Sequence, residues 1–294
     1  MGKLLFVKGY HDNERLRNSF NQLALNTFGI EFETWFQHGY WTEKYQPYSY
    51  IDNGMVVANV SVNLLNLVIS DESKQAIQIG TVMTHPDYRD KGLSRRLMEK
   101  VLEDFCHVDI VYLFANQTVL DFYPKFGFQR VEEVEFSMSY SQKPSPNLPK
   151  IKKLDGGNSD DLAFIYALAA DRVSCSGTFG TSGSEELFMF YSIMVFSQDL
   201  YYLEEEKALV IFQIEGDILH LYDVVCREKV NAPGILSKIA GENINKVVFH
   251  FQPEMTEAAK MDVQPHETRN PLFIRNQTNV ILPAVFKHPF TSQA

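Results

Sequence analysis

Residues 78–95, Gln-Ile-Gly-Thr-Val-Met-Thr-His-Pro-Asp-Tyr-Arg-Asp-Lys-Gly-Leu-Ser-Arg, constrain the fold more than any other stretch of the chain. β-Branched residues recur over Gln78–Thr84, and His85-Pro86 closes the run because proline cannot donate to a ladder. The pattern predicts a strand over 78–84. Leu93, Leu97, Val101, Leu102 and Phe105 then fall at helical spacing, predicting a helix over 92–105. The first backbone amides of such a helix lack internal partners and lie at the positive end of its dipole. Gly92 lets a ligand come close to them, while Arg89, Lys91 and Arg95 surround the turn with positive charge. The loop suits an anion such as a pyrophosphate. A strand–loop–helix with one glycine is also common as plain architecture, so the residues downstream carry weight.

Asp109–Phe114 reads as a buried strand. Ala115-Asn116-Gln117 follows, then a short helix over Thr118–Lys125, then Phe126-Gly127-Phe128-Gln129-Arg130-Val131 entering another strand. Val82 to Ser94 resembles the acetyl-CoA signature of the GNAT N-acetyltransferase superfamily, Arg/Gln-x-x-Gly-x-Gly/Ala, with Ser94 at a position where that family has glycine or alanine. Asn116 with Phe122-Tyr123-Pro-Lys-Phe-Gly-Phe128 resembles the second motif of the same family. The variant Thr-His-Pro-x-Tyr-Arg-x-Lys-Gly-Leu-Ser is most similar to the enhanced-intracellular-survival type of bacterial acetyltransferase, which carries two GNAT-like domains in tandem.

The resemblance implies an α/β (α+β) fold of two GNAT-like domains. Each would have a mixed, mostly antiparallel sheet flanked by helices, and in the first a splayed parallel strand pair would hold acetyl-CoA as co-substrate. Within it, Val82, Met83 and Thr84 would pair with the pantetheine arm as an added strand. The loop Arg89, Asp90, Lys91, Gly92, Leu93, Ser94 and Arg95 would hold the pyrophosphate, and Asn116 would contact the arm from the neighbouring strand end. Tyr123 would be the general acid, since a phenol with an ordinary pKa near 10 can protonate a departing thiolate; a packing role for the same ring is the alternative. The base stays open. Gln78 stands where some relatives have glutamate, and Glu31, Glu33, His38 and His85 are candidates by composition alone. In the enhanced-intracellular-survival type the C-terminal carboxylate serves as base, but those proteins carry a further C-terminal domain for which this chain is too short. A water relay to bulk is the remaining route.

At 294 residues the chain has room for two domains, and 45% hydrophobic with 22% charged residues suits a protein with a real core. The three prolines of Ser141–Pro149 mark a linker between a first domain over 1–140 and a second over 150–294. Ile218–Phe251 repeats the strand–loop–helix–strand order of Ile77–Phe114, which predicts an internal duplication. The second copy's loop, Arg227 to Pro233, has no glycine at the helix entrance and reads as degenerate, shaping the acceptor pocket or an oligomer interface. Aromatic residues crowd Ile30–Tyr50 alongside Glu31, Glu33 and Glu43, either as core or as a wall for an amine ligand. Asn53-Gly54 predicts a hairpin turn, and Leu272-Phe273-Ile274-Arg275 and Val280–Phe286 closing strands.

A net charge of −10 argues against nucleic acid as partner and is compatible with a cationic acceptor. No apolar run is long enough to span a bilayer, and the start lacks a signal-peptide pattern, so the expectation is a cytoplasmic protein with no membrane partner. Cys106, Cys175 and Cys226 lack metal-ligand spacing, so no metal is expected. The expected activity is acetyl transfer to a primary amine of a small molecule. A silent CoA- or ligand-binding regulatory module and a protein N-acetyltransferase are the alternatives, and the oligomeric state stays open.

Overall fold

The computed structural model describes residues 4–141, 150–229, 232–254 and 261–294. The linker expected at 141–149 therefore lies almost wholly outside the described residues. The chain opens with β1 (Leu5–Lys8), α1 (Glu14–Phe28) and the short α2 (Glu33–Gln37). Strands β2 (Tyr45–Asp52), β3 (Met55–Ile69) and β4 (Glu72–Thr84) form a meander, followed by α3 (Leu93–Asp104) and β5 (Ile110–Phe114). Two 3-10 turns over 117–119 and 123–126 stand where a short helix was expected, and lead to β6 (Gln129–Val131) and β7 (Val134–Ser139).

The second half contains β8 (Ile151–Leu154), α4 (Ser159–Ala170), β9 (Phe179–Ser182), α5 (Glu185–Met194) and β10 (Leu200–Leu203). A hairpin of β11 (Ala208–Glu215) and β12 (Ile218–Val225) follows, then α6 (Ala232–Ile239), β13 (Lys246–Phe249), β14 (Asp262–Pro265) and β15 (Leu272–Asn276). Residues 280–286 form no strand, contrary to expectation, although Phe286 is buried against Phe179.

Local chemistry accounts for the boundaries. Asn13 caps α1 through Oδ1, which accepts from the Leu16 amide, and Gly29 ends the helix in the left-handed region. Asn53 and Gly54 both have positive φ and close the β2–β3 hairpin. The apolar stripe of α3 (Leu93, Leu97, Met98, Val101, Leu102) packs on Ile77 and Ile79 of β4 and on Val111 and Leu113 of β5, which fixes that helix across one face of the sheet.

Among the described residues the strands form two sheets, in the orders β1-β2-β3-β4-β5-β15-β6 (with β9 also on β3) and β14-β7-β13-β12-β11-β10-β8. In each, one pair is parallel: Ala76–Ile79 with Ile110–Leu113, and Ile218–Leu221 with Lys246–Phe249. The remaining ladders are antiparallel, as the fold class requires. The sheets do not divide at the expected linker. Strand β7 precedes it but lies in the second sheet between β13 and β14, whereas β15, from near the end of the chain, fills the first sheet between β5 and β6. Both strands are short and bury apolar residues, Phe136 in β7 and Leu272, Phe273 and Ile274 in β15, so either sheet can bury them, and only the tertiary register assigns them.

Candidate active site

The parallel ladder of β4 and β5 ends at Ile79–Leu113, yet β4 runs on to Thr84 while β5 stops at Phe114, leaving the two strands apart beyond that point. A bulge sets the divergence. Ser61 of β3 faces Gly80, but Asn59 faces Met83, so β4 carries an extra residue at Thr81, whose φ is +49°. A buried chain of hydrogen bonds holds this bulge. The Tyr10 hydroxyl meets Ser49 Oγ at 2.6 Å, Ser49 Oγ donates to Asn59 Oδ1 at 2.8 Å, and Asn59 Nδ2 donates to the Thr81 carbonyl at 2.8 Å. Tyr45 adds a contact from its hydroxyl to Thr81 Oγ1 at 2.9 Å. Burial pushes the phenols of Tyr10 and Tyr45 well up, so both remain neutral at physiological pH and act as fixed dipoles.

The predicted cofactor residues surround the opening. Met83 is buried beneath α1, while Val82 and Thr84 are half-buried. Arg89, Asp90, Lys91, Gly92 and Arg95 are exposed at the entrance of α3, and Leu93 anchors that helix in the core. Gly92 sits at φ +71°, a Cβ there would meet open space, and no side chain caps the helix. The N-terminus of α3 is thus open to an anion. Ser94 hydrogen bonds Thr84, Oγ to Oγ1 at 2.7 Å, and so ties the helix to the strand end at the position that departs from the family pattern. Asn116 is exposed beyond β5, but its Oδ1 accepts from both the amide and the hydroxyl of Thr118 and serves as a local cap.

Tyr123 is nearly buried between Phe122, Phe128 and Phe273, the last from the exchanged strand β15. Burial pushes its phenol up to about 12. Arg275 of β15 donates to the Phe126 carbonyl at 2.9 Å and so braces the turn that carries Tyr123. The base candidates are scattered. Glu33 pairs with Arg17 at 2.9 Å, which lowers its carboxyl, Glu31 caps the start of α2, and His85 caps the turn after β4.

A group the sequence left open lies at the bulge. The main-chain carbonyl carbon of Ala294 and its Cβ each come within 3.2 Å of where a Cβ on Gly80 would stand. The tail that brings it there is locked down along its length. His288 Nε2 meets the Tyr112 hydroxyl at 3.1 Å, the Phe290 amide donates to the His250 carbonyl at 2.9 Å, and Ser292 Oγ meets Thr181 Oγ1 at 2.8 Å. Thr291 bonds Asp223, and Tyr191 donates to the Gln293 carbonyl at 2.9 Å. Glycine at position 80 was the one available signal, since it allows close approach of another backbone.

Residues 13–131 match the family described as an acetyltransferase (GNAT) domain. Three solved structures show the same fold across 94% of this chain. A conserved protein from Enterococcus faecalis V583 aligns at TM-score 0.62 with 16% identity, over 73% of its own length. Eis1 from Mycobacterium abscessus aligns at 0.59 with 12% identity over 74% of its length. A GCN5-related N-acetyltransferase from Kribbella flavida aligns at 0.56 with 14% identity over 72% of its length. Among the described residues there is no group of His, Cys, Asp and Glu that could hold a metal, and no helix is long and apolar enough to cross a membrane. The parted strands, the bulge and the open N-terminus of α3 all lie within the stretch that matches a GNAT acetyltransferase domain, and the chain shares the fold of Eis1.

Proposed function

We propose that the protein transfers the acetyl group of acetyl-CoA to a primary amine of a small molecule. The observation that carries this reading is the opening between β4 and β5 beside an uncapped helix N-terminus. The pyrophosphate of acetyl-CoA would rest on the amides of Asp90 to Arg95, with Arg89, Lys91 and Arg95 balancing its charge. The pantetheine arm would run along Val82–Thr84 toward the bulge, with Asn116 on its other side. The amine nitrogen attacks the thioester carbonyl carbon, the C–S bond breaks, and the amide forms. Tyr123 would give its proton to the leaving sulfur; its raised pKa keeps that proton in place at neutral pH.

The proton shed by the amine needs an acceptor at the bulge. Water at the bulge, where Ala294 packs against Gly80, would relay it to bulk. The cover that α5 and the tail lay over this face of the sheet favours a small acceptor over a protein surface.

Calorimetric titration with acetyl-CoA is expected to give saturable binding at one site per chain, and thiol release with small amines is expected to follow. Tyr123→Phe should keep the affinity and lose roughly 100-fold in turnover. An absence of acetyl-CoA binding would end the assignment.

A further inference from the structure

Gln78 and Asn63 lie opposite each other on β4 and β3, and both are buried, with 0% and 6% exposure. Neither polar atom of the Gln78 carboxamide has a hydrogen-bond partner among the described residues, and nor does Asn63 Nδ2. Burying an unpartnered amide costs about 1–3 kcal/mol. Two of them side by side therefore need a reason beyond packing.

Their location supplies one. Side chains alternate across a strand, so Gln78 and Gly80 share a face of β4. That face also carries Ala76, which packs with Leu65, Leu67 and Tyr112 below the tail. Gln78 is flanked by Tyr112 on β5 and by Asn63 on β3, and Asn63 in turn faces Tyr45 on β2. Two residues along a strand span roughly 6.5 Å, which puts the carboxamides one short molecule away from Ala294 at the bulge. Asn63 also lines a small cavity with Trp35, Lys44, Tyr45, Ser184 and Glu186, where the half-exposed Lys44 spans from the first sheet to Glu185 and Glu186 on α5.

We infer that Asn63 and Gln78 form an acceptor subsite that reads a neutral hydrogen-bonding group, a hydroxyl or a carboxamide, carried a few bonds from the reacting amine. The subsite offers two amide donors and the Gln78 oxygen as an acceptor. A carboxylate would meet that oxygen with like partial charge, and an ammonium would leave both donors unused; a hydroxyl or carboxamide satisfies both kinds of group. The inference rests on the transferase reading above.

The test compares 4-amino-1-butanol with n-pentylamine, which have equal length and differ in the terminal group. In thiol release the native protein should favour the amino alcohol on the order of tenfold in kcat/KM, and Gln78→Met should bring the pair within about twofold while calorimetry shows acetyl-CoA affinity unchanged. Melting temperature supplies a second readout that needs no turnover. The amino alcohol should raise it more than the alkylamine in the native protein, and equally in Gln78→Met. Asn63→Ala gives the same comparison should the first variant not fold. Equal shifts by the two amines in the native protein would mean that water alone satisfies the carboxamides, and would overturn the inference. Distinct shifts without thiol release would instead overturn the transferase reading and leave the subsite standing.

Discussion

The two parallel strand pairs are built alike and used differently. In each, four residues pair in parallel, and the first strand bulges where its partner ends: at Thr81 in β4, and at Tyr222, between the pairs Phe212–Leu221 and Ile211–Asp223, in β12. Beyond the first bulge the strands stand apart around Gly80. At the second, the space is occupied. Arg172 forks onto Asp223 with contacts of 2.9 and 2.6 Å, Cys175 packs beside them, and Thr291 bonds the same carboxylate. Tyr222 stacks on His250 with centroids 4.2 Å apart, and Phe290 closes the side. The same tail that plugs the second pair carries Ala294 to the first. The second pair is the clamp that holds the tail against the first.

The comparison breaks most readily at Asp223. Burial pushes its carboxyl up, but Arg172 and the hydrogen bonds around it outweigh burial and hold it below the usual range. Asp223→Ala leaves a buried guanidinium unpaired and should cost about 3–5 kcal/mol of stability, read by denaturant unfolding. A loss below 1 kcal/mol would show that the second pair is not a clamp. The opposite phenotype is expected of Gly92→Asp, which sets a carboxylate against the pyrophosphate. Acetyl-CoA affinity should fall on the order of 100- to 1000-fold, while stability falls only by the strain of an aspartate at φ +71°, about 1 kcal/mol. Unchanged affinity would sink the cofactor assignment.

A smaller effect sharpens the role of the tail. Burial holds the His288 imidazole down to about 3. Below its ordinary value of 6.5 the unfolded chain takes up a proton that the folded one refuses. Stability should therefore fall as pH drops from 6.5 toward 3, by about 1.4 kcal/mol per pH unit for this residue. His250 and His266, also held low by burial, add to the same slope. Melting temperatures between pH 7 and 4 should decline less steeply in His288→Gln. An identical slope would mean that the tail is not held by a neutral histidine.

Much of the first sheet was legible because its signals are local. The hairpin at Asn53-Gly54, the proline that ends β4 and the helical stripe of α3 each depend on neighbours in sequence, and so does the glycine that keeps the entrance of α3 open. The repeated strand–helix–strand order was legible for the same reason. What escaped was non-local. Nothing within β7 or β15 encodes which sheet will accept it, and Val280–Phe286 has strand composition without a free edge to join. Ala294 is near Gly80 only through a tail held by partners scattered from Tyr112 to His250. Gln78 reads in sequence as an absent glutamate; its unmet hydrogen bonds become visible only once Asn63 lies opposite.

The exchange of β7 and β15 gives the chain a timetable. The first sheet is missing the strand between β5 and β6 until residue 276 has been made, well over a hundred residues after β5. At ribosomal rates of roughly 5–20 residues per second, that interval is on the order of 10–30 s. During it, the inner edge of β5 and the turn bearing Tyr123 lack their cover, so the nascent half is both inactive and in need of protection. The two halves mature together, and a truncated translation product ending before β15 would carry every cofactor motif yet have no completed sheet to display them on.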